Sequence, residues 1–361
     1  MSLAKSILER QDYPIVSVCD QNGHIGNPEL MPKLSDSQLV SIMRKMVFTR
    51  TWDQRAISLA RQARMGLWAT VGGQEASMIG SEAALRKDDF ILGSYRDIPQ
   101  IVWHGLPLYQ SILYSRGHQK GFCIPEDVQA LMPQIIIGAQ IIQAAGIALG
   151  MKKRKSDNIV MSYIGEGGTS QGDFYEGLNF AGVFQVPMIT MVQNNQYAIS
   201  VPFHKQTAAD TIAQKAVAAG ITGVRVDGMD VLAVYKVVEQ AAERARRGQG
   251  PTLIEALTYR YGPHTMAGDD PSRYRTKEEV EHWREKDPIT RFRKYLGRKG
   301  LWSDRDEELM IEEAKQAITD ALKQADATEK MTVAGLIDSM FEKTPPHLEE
   351  QKLRYITRGG K

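Results

Sequence analysis

The segment from Asn158 to Ser200 constrains the fold more than any other part of the chain. It contains an apolar strand, the glycine-rich turn Gly165-Glu166-Gly167-Gly168, a helix, a second apolar strand and then Asn194-Asn195. Two apolar strands separated by a helix predict a βαβ unit with parallel strands. Consecutive parallel strands end at the same edge of an open α/β sheet, so we expect Glu166 and Asn195 to lie close together.

These two side chains have the chemistry of a magnesium site. Carboxylate, amide and backbone carbonyl oxygens are the hard ligands that Mg²⁺ prefers, and phosphate oxygens commonly complete its coordination shell. The glycine-rich turn allows the backbone to approach such a phosphate closely. The sequence therefore predicts a magnesium–diphosphate site at the carboxyl ends of these strands.

Three other interpretations of this segment stay open. The Gly165-x-Gly167-x-x-Ser170 spacing is similar to a dinucleotide-binding fingerprint, which would indicate an NAD-dependent oxidoreductase. That fingerprint requires an acidic residue after the second strand to hold a ribose, and Asn194-Asn195 stands there instead. The turn could also serve only helix packing, and the chain could be a non-catalytic scaffold subunit.

Strands and helices alternate along most of the chain. We predict strands at 90–93, 224–226 and 252–257, and helices at 36–64, 74–85, after Gly138 and at 231–247. This alternation predicts an α/β fold, with a mostly parallel sheet covered by helices on both faces. We expect one domain over residues 1–361, with a core at about 40–300 and helical extensions at 1–39 and 301–361.

Composition favours a soluble cytoplasmic protein. The chain has 361 residues, of which 42% are hydrophobic and 24% charged, and its net charge is +2. No basic block with interleaved aromatic residues is present, so we expect no nucleic-acid partner. The two cysteines, Cys19 and Cys123, lack metal-ligand spacing and fit a reducing compartment. Glu9 and Asp12 occur before any apolar run, so we expect no signal peptide.

Residues 132–151 include no charged residue over 20 positions, which is the length of a membrane span. Pro133 and several glutamines interrupt the stretch, and small residues recur within it. We therefore predict a buried helix, packed closely against a neighbouring helix or another subunit, and no membrane association.

Two further groups of residues are expected at the same edge of the sheet. Tyr95-Arg96 follows a predicted strand, and Arg260 and His264 lie in a long polar loop at 259–277, so all four are potential anion contacts. Asp173 and Glu176 lie three residues apart on one helix face. They either complement the helix dipole or form a carboxylate pair at a site that must move protons.

Several motifs together resemble the alpha subunits of thiamine-diphosphate-dependent 2-oxoacid dehydrogenases, over nearly the whole chain. The motifs are Tyr95-Arg96-Asp97, 165–173, Gln193-Asn194-Asn195-Gln196-Tyr197, Arg260-Tyr261-Gly262-Pro263-His264-Thr265, Val226-Asp227-Gly228-Met229-Asp230 and 268–275. The resemblance is strongest to the pyruvate dehydrogenase alpha subunits of Gram-positive bacteria. Most thiamine-diphosphate enzymes have aspartate where this chain has Glu166. Glutamate there is similar to the branched-chain 2-oxoacid dehydrogenases, which stay the alternative within the family.

The resemblance implies a role for each matched residue. Magnesium would be held by Glu166, Asn195 and the carbonyl of Tyr197. The backbone of Gly167 and Gly168 would contact the diphosphate, and the phosphate end of the cofactor would also be contacted by Tyr95, Arg96, Arg260 and His264. Ile135 and Ile137 would pack on the cofactor rings. Asp173 and Glu176 would transfer protons between paired active sites.

The resemblance also implies the activity and the partners. The activity would be oxidative decarboxylation of pyruvate with thiamine diphosphate and magnesium, followed by reductive acetylation of a lipoyl group on the acyltransferase core of a complex. The glutamate that activates thiamine diphosphate has no matching motif here, and in this family it belongs to a beta subunit. We therefore expect a heterotetramer of two alpha and two beta subunits, with residues 135–149 as an interface.

Overall fold

A sheet of parallel strands forms the centre of the molecule. The computed structural model describes residues 12–359. The strands are β1 (Ile15–Val16), β2 (Phe90–Leu92), β3 (Ala130–Leu131), β4 (Val160–Gly165), β5 (Met188–Asn194), β6 (Tyr197–Ala198), β7 (Val201–Pro202), β8 (Thr222–Asp227) and β9 (Thr252–Leu257). Seven of them form the sheet in the order β1-β8-β9-β5-β4-β2-β3, with every pair parallel, whereas β6 and β7 form a small antiparallel hairpin.

Helices connect the strands and extend beyond the sheet. The α-helices are α1 (Asp36–Arg61), α2 (Glu75–Ala83), α3 (Ile98–Trp103), α4 (Leu108–Ser115), α5 (Ala139–Lys153), α6 (Gly172–Phe184), α7 (Phe203–Gln206), α8 (Val231–Arg246), α9 (Lys277–Arg284), α10 (Pro288–Arg298), α11 (Asp304–Asp326), α12 (Val333–Asp338) and α13 (Pro346–Thr357). The 3₁₀ turn Glu166–Ser170 follows β4, and the 3₁₀ turn Ala213–Ala219 precedes β8. Capping boxes begin α1 at Ser35 and α11 at Ser303.

The sheet is buried on both faces, which explains the continuous apolar runs of its central strands. Along β4, Met161 and Tyr163 belong to a core shared with α1, α2, α8, α10 and α11. Val160 and Ile164 belong to a second core, shared with α5 and α6. Successive side chains of a strand point to opposite faces, so a strand covered on both sides is predominantly apolar on both. The predicted α/β class is confirmed.

The uncharged segment at 132–151 forms α5 in its second half. Its buried side chains include Ala144, Ala145 and Ala148, and Gly177 of α6 packs against the backbone of Ile141. The opposite side of α5 is exposed, as Gly146 illustrates. Within residues 12–359, no helix is long and apolar enough to cross a membrane.

The start of the described chain differs from a purely helical extension. Residues 12–35 contain the edge strand β1, which pairs with β8, and α1 begins only at Asp36. A strand of two residues is too short to produce a recognisable period. The expectations for residues 1–11, a helical start without a signal peptide, lie outside the described part of the chain.

Candidate functional site

A cleft opens where the central strands end. The register pairs Gly165 of β4 with Gln193 of β5, and Asn194 of β5 with Leu257 of β9, so the three strands end side by side. Many of the predicted site residues line the cleft, namely Tyr95, Arg96, Ile137, Glu166, Gly167, Gly168, Asn195, Tyr197 and His264. The expected convergence at one sheet edge is therefore found in the structure.

Glu166 is a buried carboxylate that lacks part of its hydrogen bonding. The residue is 1% exposed. Its Oε2 accepts a hydrogen bond from the backbone N–H of Asn195 at 3.2 Å, and its Oε1 has no hydrogen-bond partner among residues 12–359. Burial raises the pKa of Glu166, against the opposing effects of backbone hydrogen bonds, Arg260 and Arg96. A cation at Oε1 would remove the cost of this unpaired oxygen.

The turn after β5 presents the second predicted ligand beside Glu166. Asn195 donates from Nδ2 to Gln74 Oε1 at 3.2 Å, and its Oδ1 accepts from the N–H of Tyr197 at 3.4 Å. Gln196 between them has φ of 76°, a left-handed conformation that is uncommon for a residue other than glycine. The side chain of Asn194 stabilises this conformation, because its Oδ1 accepts from the N–H of Gln196 at 3.2 Å.

Glycine is required in the turn after β4 because other groups approach it closely. A Cβ on Gly167 would lie 2.6 Å from the Cβ of Ala198, and one on Gly168 would lie 2.6 Å from Ile164. The end of the turn is fixed by Lys215, whose Nζ donates to Thr169 Oγ1 at 2.9 Å. At Gly167 and Gly168 the backbone of this turn therefore borders the cleft directly, without an intervening side chain.

Cationic and hydrogen-bonding groups lie on the other side of the cleft. Arg96 donates from Nη2 to the carbonyl of His264 at 3.0 Å, and the same nitrogen lies 3.1 Å from His264 Nδ1. The Tyr95 hydroxyl lies 3.3 Å from His264 Nε2. Burial, Arg96 and Arg260 lower the pKa of His264 to about 3, with Asp269 opposing the shift. His264 is consequently a neutral imidazole at neutral pH.

Arg260 is a fully buried guanidinium behind this group. Its Nη2 donates to the carbonyl of Ile199 at 2.8 Å, but within the described chain its Nε has no hydrogen-bond partner. Asp269 Oδ2 lies 3.9 Å from Nη1. Burial lowers the pKa of Arg260, and repulsion from the neighbouring Arg96 adds to this shift. An anion in the cleft would offset this repulsion.

Besides Arg260, three predicted residues lie away from the cleft lining. Ile135 is 62% exposed, so its side chain points out of this chain rather than into the cleft. Asp173 and Glu176 lie at the start of α6, where Asp173 is half-buried beside Gly138 and Glu176 is exposed. Neither carboxylate has a hydrogen-bond or ion-pair partner among residues 12–359, and the structure leaves their role open.

Sequence reasoning missed the polar side chains beneath the cleft. Gln74 is 0% exposed, holds Asn195 and has an unpartnered Nε2 within the described residues. Gln193 accepts a hydrogen bond from Ser77 at 3.0 Å and donates to Asp97. The only sequence signal for Gln74 was its position after the Gly72-Gly73 break, and such a signal does not distinguish a site residue from a helix cap.

The residues present fit a metal bound together with a phosphate. In the described part of the chain, no group of three or more His, Cys, Asp or Glu side chains could hold a metal ion. A site that supplies one carboxylate, one amide and a backbone carbonyl requires ligands from the bound molecule. The unpaired oxygen of Glu166 calls for a cation, and the unpaired nitrogen of Arg260 calls for an anion.

Comparisons with known proteins agree with this geometry. The sequence profile of the Dehydrogenase E1 component family matches residues 43–334. The chain belongs to this family. It is 58% identical to the pyruvate dehydrogenase E1 component subunit alpha of Bacillus subtilis (strain 168). The identity extends over 344 residues, which are 95% of this chain and 93% of that protein. For the subunit of the same name in Staphylococcus aureus (strain Mu50 / ATCC 700699), identity is 57% over 349 residues, 97% of this chain and 94% of that protein.

Membership of the dehydrogenase E1 component family confirms the resemblance inferred from the motifs. It identifies the chain as part of a thiamine-dependent oxidoreductase and implies thiamine diphosphate as the cofactor. The alternative of an NAD-dependent oxidoreductase is therefore dropped. The assignments of individual residues to the metal, the phosphates and the rings stay predictions.

Proposed function

We propose that this chain is the alpha subunit of a pyruvate dehydrogenase that decarboxylates pyruvate oxidatively and transfers the acetyl group to a lipoyl group. One observation carries the proposal for the site: a buried carboxylate with an unpaired oxygen, Glu166, shares a cleft with the positive charge of Arg96 and the buried Arg260 behind it. A magnesium ion bound to a diphosphate supplies the missing cation and the missing anion together.

The protein's own groups hold and orient the cofactor. Glu166, Asn195 and the carbonyl of Tyr197 bind magnesium. The diphosphate is bound by the backbone of Gly167 and Gly168 and by the side chains of Tyr95, Arg96, Arg260 and His264. Ile137 packs on the cofactor from this chain, and Ile135 packs where the partner subunit closes over it.

Thiamine diphosphate supplies the carbanion chemistry that releases carbon dioxide from a 2-oxo acid. The neutral His264 donates a hydrogen bond without adding a further positive charge beside Arg96 and Arg260. Asp173 and Glu176, which have no ion-pair partner in the described structure, pass protons at the cleft mouth. We assign no step of bond breaking to this chain, because the group that activates the cofactor comes from the partner.

The partner is a beta subunit, in a heterotetramer of two alpha and two beta chains that docks on a lipoyl-bearing acyltransferase core. An exposed apolar surface on α5 and α6 supports an interface there, because Val183 is 69% and Phe180 is 50% exposed. Ile142 and Phe184 extend the same surface. Free Cys19 and Cys123 fit the reducing cytoplasm.

Exchange of one carboxylate for an amide tests the metal assignment. In Glu166→Gln, the apparent affinity for Mg²⁺ at fixed thiamine diphosphate should fall by roughly ten-fold or more, because the only carboxylate ligand is lost. The free energy of unfolding should stay the same or rise, since a buried unpaired charge is removed. Both quantities can be measured on the assembled complex, by calorimetric titration and by urea unfolding.

The matched control is Asp89→Asn, at the opposite edge of the sheet. Asp89 is equally buried, but its carboxylate is paired with Arg246 and accepts the N–H of Ile159 at 3.0 Å. This variant should lose about 1–3 kcal/mol of stability and keep its magnesium affinity. Because burial raises the pKa of Glu166, protons compete with magnesium at this carboxylate up to a higher pH than at an exposed glutamate, and wild-type affinity should increase with pH while that of Glu166→Gln does not. Equal titrations of wild type and Glu166→Gln would contradict the assignment.

A further inference from the structure

Glu279 lies outside the cleft and contacts the turn that borders it. Its Oε2 accepts a hydrogen bond from the Tyr197 hydroxyl at 2.8 Å, and its Oε1 accepts from the Tyr259 hydroxyl at 3.0 Å. Tyr197 belongs to the turn after β5, and Tyr259 follows the end of β9. Thr276 caps α9 through the N–H of Glu279, at 3.2 Å, and thereby fixes the helix from which this side chain projects.

The side chain of Tyr197 is fixed both by packing on its ring and by a hydrogen bond from its hydroxyl. The residue is 7% exposed, and its ring packs against Tyr274 at 5.4 Å and against Tyr259 at 6.4 Å between centroids. Its hydroxyl donates to both carboxylate oxygens of Glu279, at 2.9 Å to Oε1 and 2.8 Å to Oε2. The ring is therefore anchored at its far end by a charge-assisted hydrogen bond.

The backbone next to Tyr197 requires external support. Gln196 has φ of 76° and Ile199 has φ of 58°, so a left-handed residue precedes and follows it closely. Such conformations persist outside glycine only where the surroundings hold them. Arg260 holds one side by donating to the carbonyl of Ile199 at 2.8 Å. Glu279 holds the hydroxyl end of Tyr197.

We propose that Glu279 is a positioning residue, which orients the backbone carbonyl of Tyr197 towards the metal by holding the hydroxyl of the same residue. Glu279 does not touch the metal or the cofactor in this proposal. The inference rests on the proposed function, because it takes Glu166, Asn195 and the Tyr197 carbonyl as the magnesium ligands. It adds that the third ligand depends on a carboxylate about 80 residues further along the chain.

Magnesium titration of the assembled complex at fixed thiamine diphosphate, followed by calorimetry, tests the proposal. Tyr197→Phe removes the anchored hydroxyl and leaves the carbonyl in place. We expect the apparent magnesium affinity to fall by roughly five-fold, because only part of the free energy of a charged hydrogen bond contributes to positioning the carbonyl. Glu279→Gln should weaken magnesium binding similarly. Tyr163→Phe is the control, because it removes a buried hydroxyl that donates to Ser81 at 3.1 Å in the core.

A double variant distinguishes a shared mechanism from two separate effects. If Glu279 acts through the Tyr197 hydroxyl, Tyr197→Phe should cause no further loss of magnesium affinity in a Glu279→Gln background. Fully additive losses would overturn the proposal. An unchanged magnesium affinity in Tyr197→Phe would also overturn it, even with reduced stability, because the hydroxyl would then serve folding alone.

The same titrations separate this inference from the proposed function. If Glu166→Gln loses magnesium affinity and Tyr197→Phe keeps it, the metal site stands and the role of Glu279 is wrong. If neither substitution alters the titration, both the metal assignment and the positioning role are wrong. Loss of affinity in Glu166→Gln, Tyr197→Phe and Glu279→Gln, with Tyr163→Phe unchanged, supports both.

Discussion

At the scale of single residues, the carboxylate of Glu166 differs from the other buried carboxylates of the described chain in how its oxygens are paired. Asp227 binds the buried Arg291 at 2.6 Å, and Glu75 and Asp287 bind the same guanidinium of Arg50. Glu166, by contrast, keeps one oxygen without a hydrogen-bond partner in the described structure. Unpaired buried charges are expensive, so their presence in a folded protein indicates a bound ligand.

The pH dependence of stability should report the neutral state of His264. Its pKa is about 3 in the folded chain, below the ordinary value of 6.5, so the unfolded state binds more protons between these values. The contribution of His264 to the free energy of unfolding is fully present above about pH 6.5 and is lost as the pH falls towards 3. Urea unfolding of the wild type and His264→Gln at about pH 7.5 and 5 should show the steeper decrease for the wild type. Parallel decreases would contradict this origin of the shift.

At the scale of secondary-structure elements, α5 and α6 have two different surfaces. Their inner sides pack closely, since a Cβ on Gly177 would lie 2.8 Å from Ile141 Cγ2 and 3.0 Å from the N–H nitrogen of Ile142. Their outer sides carry exposed apolar residues such as Phe180 and Val183. The inner side therefore stabilises the chain itself, and the outer side is suited to a partner.

Two glycine-to-alanine substitutions should separate these surfaces. Gly177→Ala should destabilise the isolated chain by about 1–3 kcal/mol, because its new methyl group meets backbone atoms of α5. Gly146→Ala should stabilise it by about 0.5–1 kcal/mol, since no atom lies within 4 Å of the added Cβ and alanine favours helix. Urea unfolding of each isolated variant measures both changes.

The same two variants, Gly177→Ala and Gly146→Ala, should also be tested for assembly with the beta subunit. If the outer side is the interface, Gly146→Ala should weaken the heterotetramer in analytical ultracentrifugation despite its more stable chain. Assembly that is unaffected by Gly146→Ala would place the interface elsewhere.

At the scale of the whole molecule, the proposed function makes this chain one half of a site. Its cleft offers groups for a metal and a diphosphate, but the exposed Ile135 and the exposed apolar surface of α5 and α6 require a neighbour. A cofactor bound here would have its diphosphate held by this chain and its rings held partly by another. The fold alone therefore does not complete the catalytic site.

A preparation free of the beta subunit should bind thiamine diphosphate weakly and release no carbon dioxide from pyruvate. The heterotetramer should turn over pyruvate faster than 3-methyl-2-oxobutanoate, as expected for a pyruvate dehydrogenase. Carbon dioxide release and calorimetric titration of both preparations measure these differences. Full activity without the beta subunit would contradict the half-site, and a preference for the branched substrate would favour the branched-chain alternative.

The sequence by itself determined the central βαβ unit and the meeting of Glu166 with Asn195. That inference needed only local periodicity and the rule that parallel strands end at one edge, and the register of β4 and β5 agrees with it. The motifs around these residues also determined the family. The two-residue strands β1 and β3 were beyond sequence analysis, because strands of that length form only where neighbouring strands provide hydrogen bonds.

Only the tertiary structure decided which charges in the cleft lack a partner. Pairing depends on groups far apart in sequence, such as Gln74 with Asn195 and Tyr197 with Glu279, and no local pattern encodes these contacts. It also decided that Ile137 faces the cleft while Ile135 faces outwards, although both are apolar and two residues apart. Hydrophobicity predicts burial, but the direction of a side chain in an irregular segment depends on what packs around it.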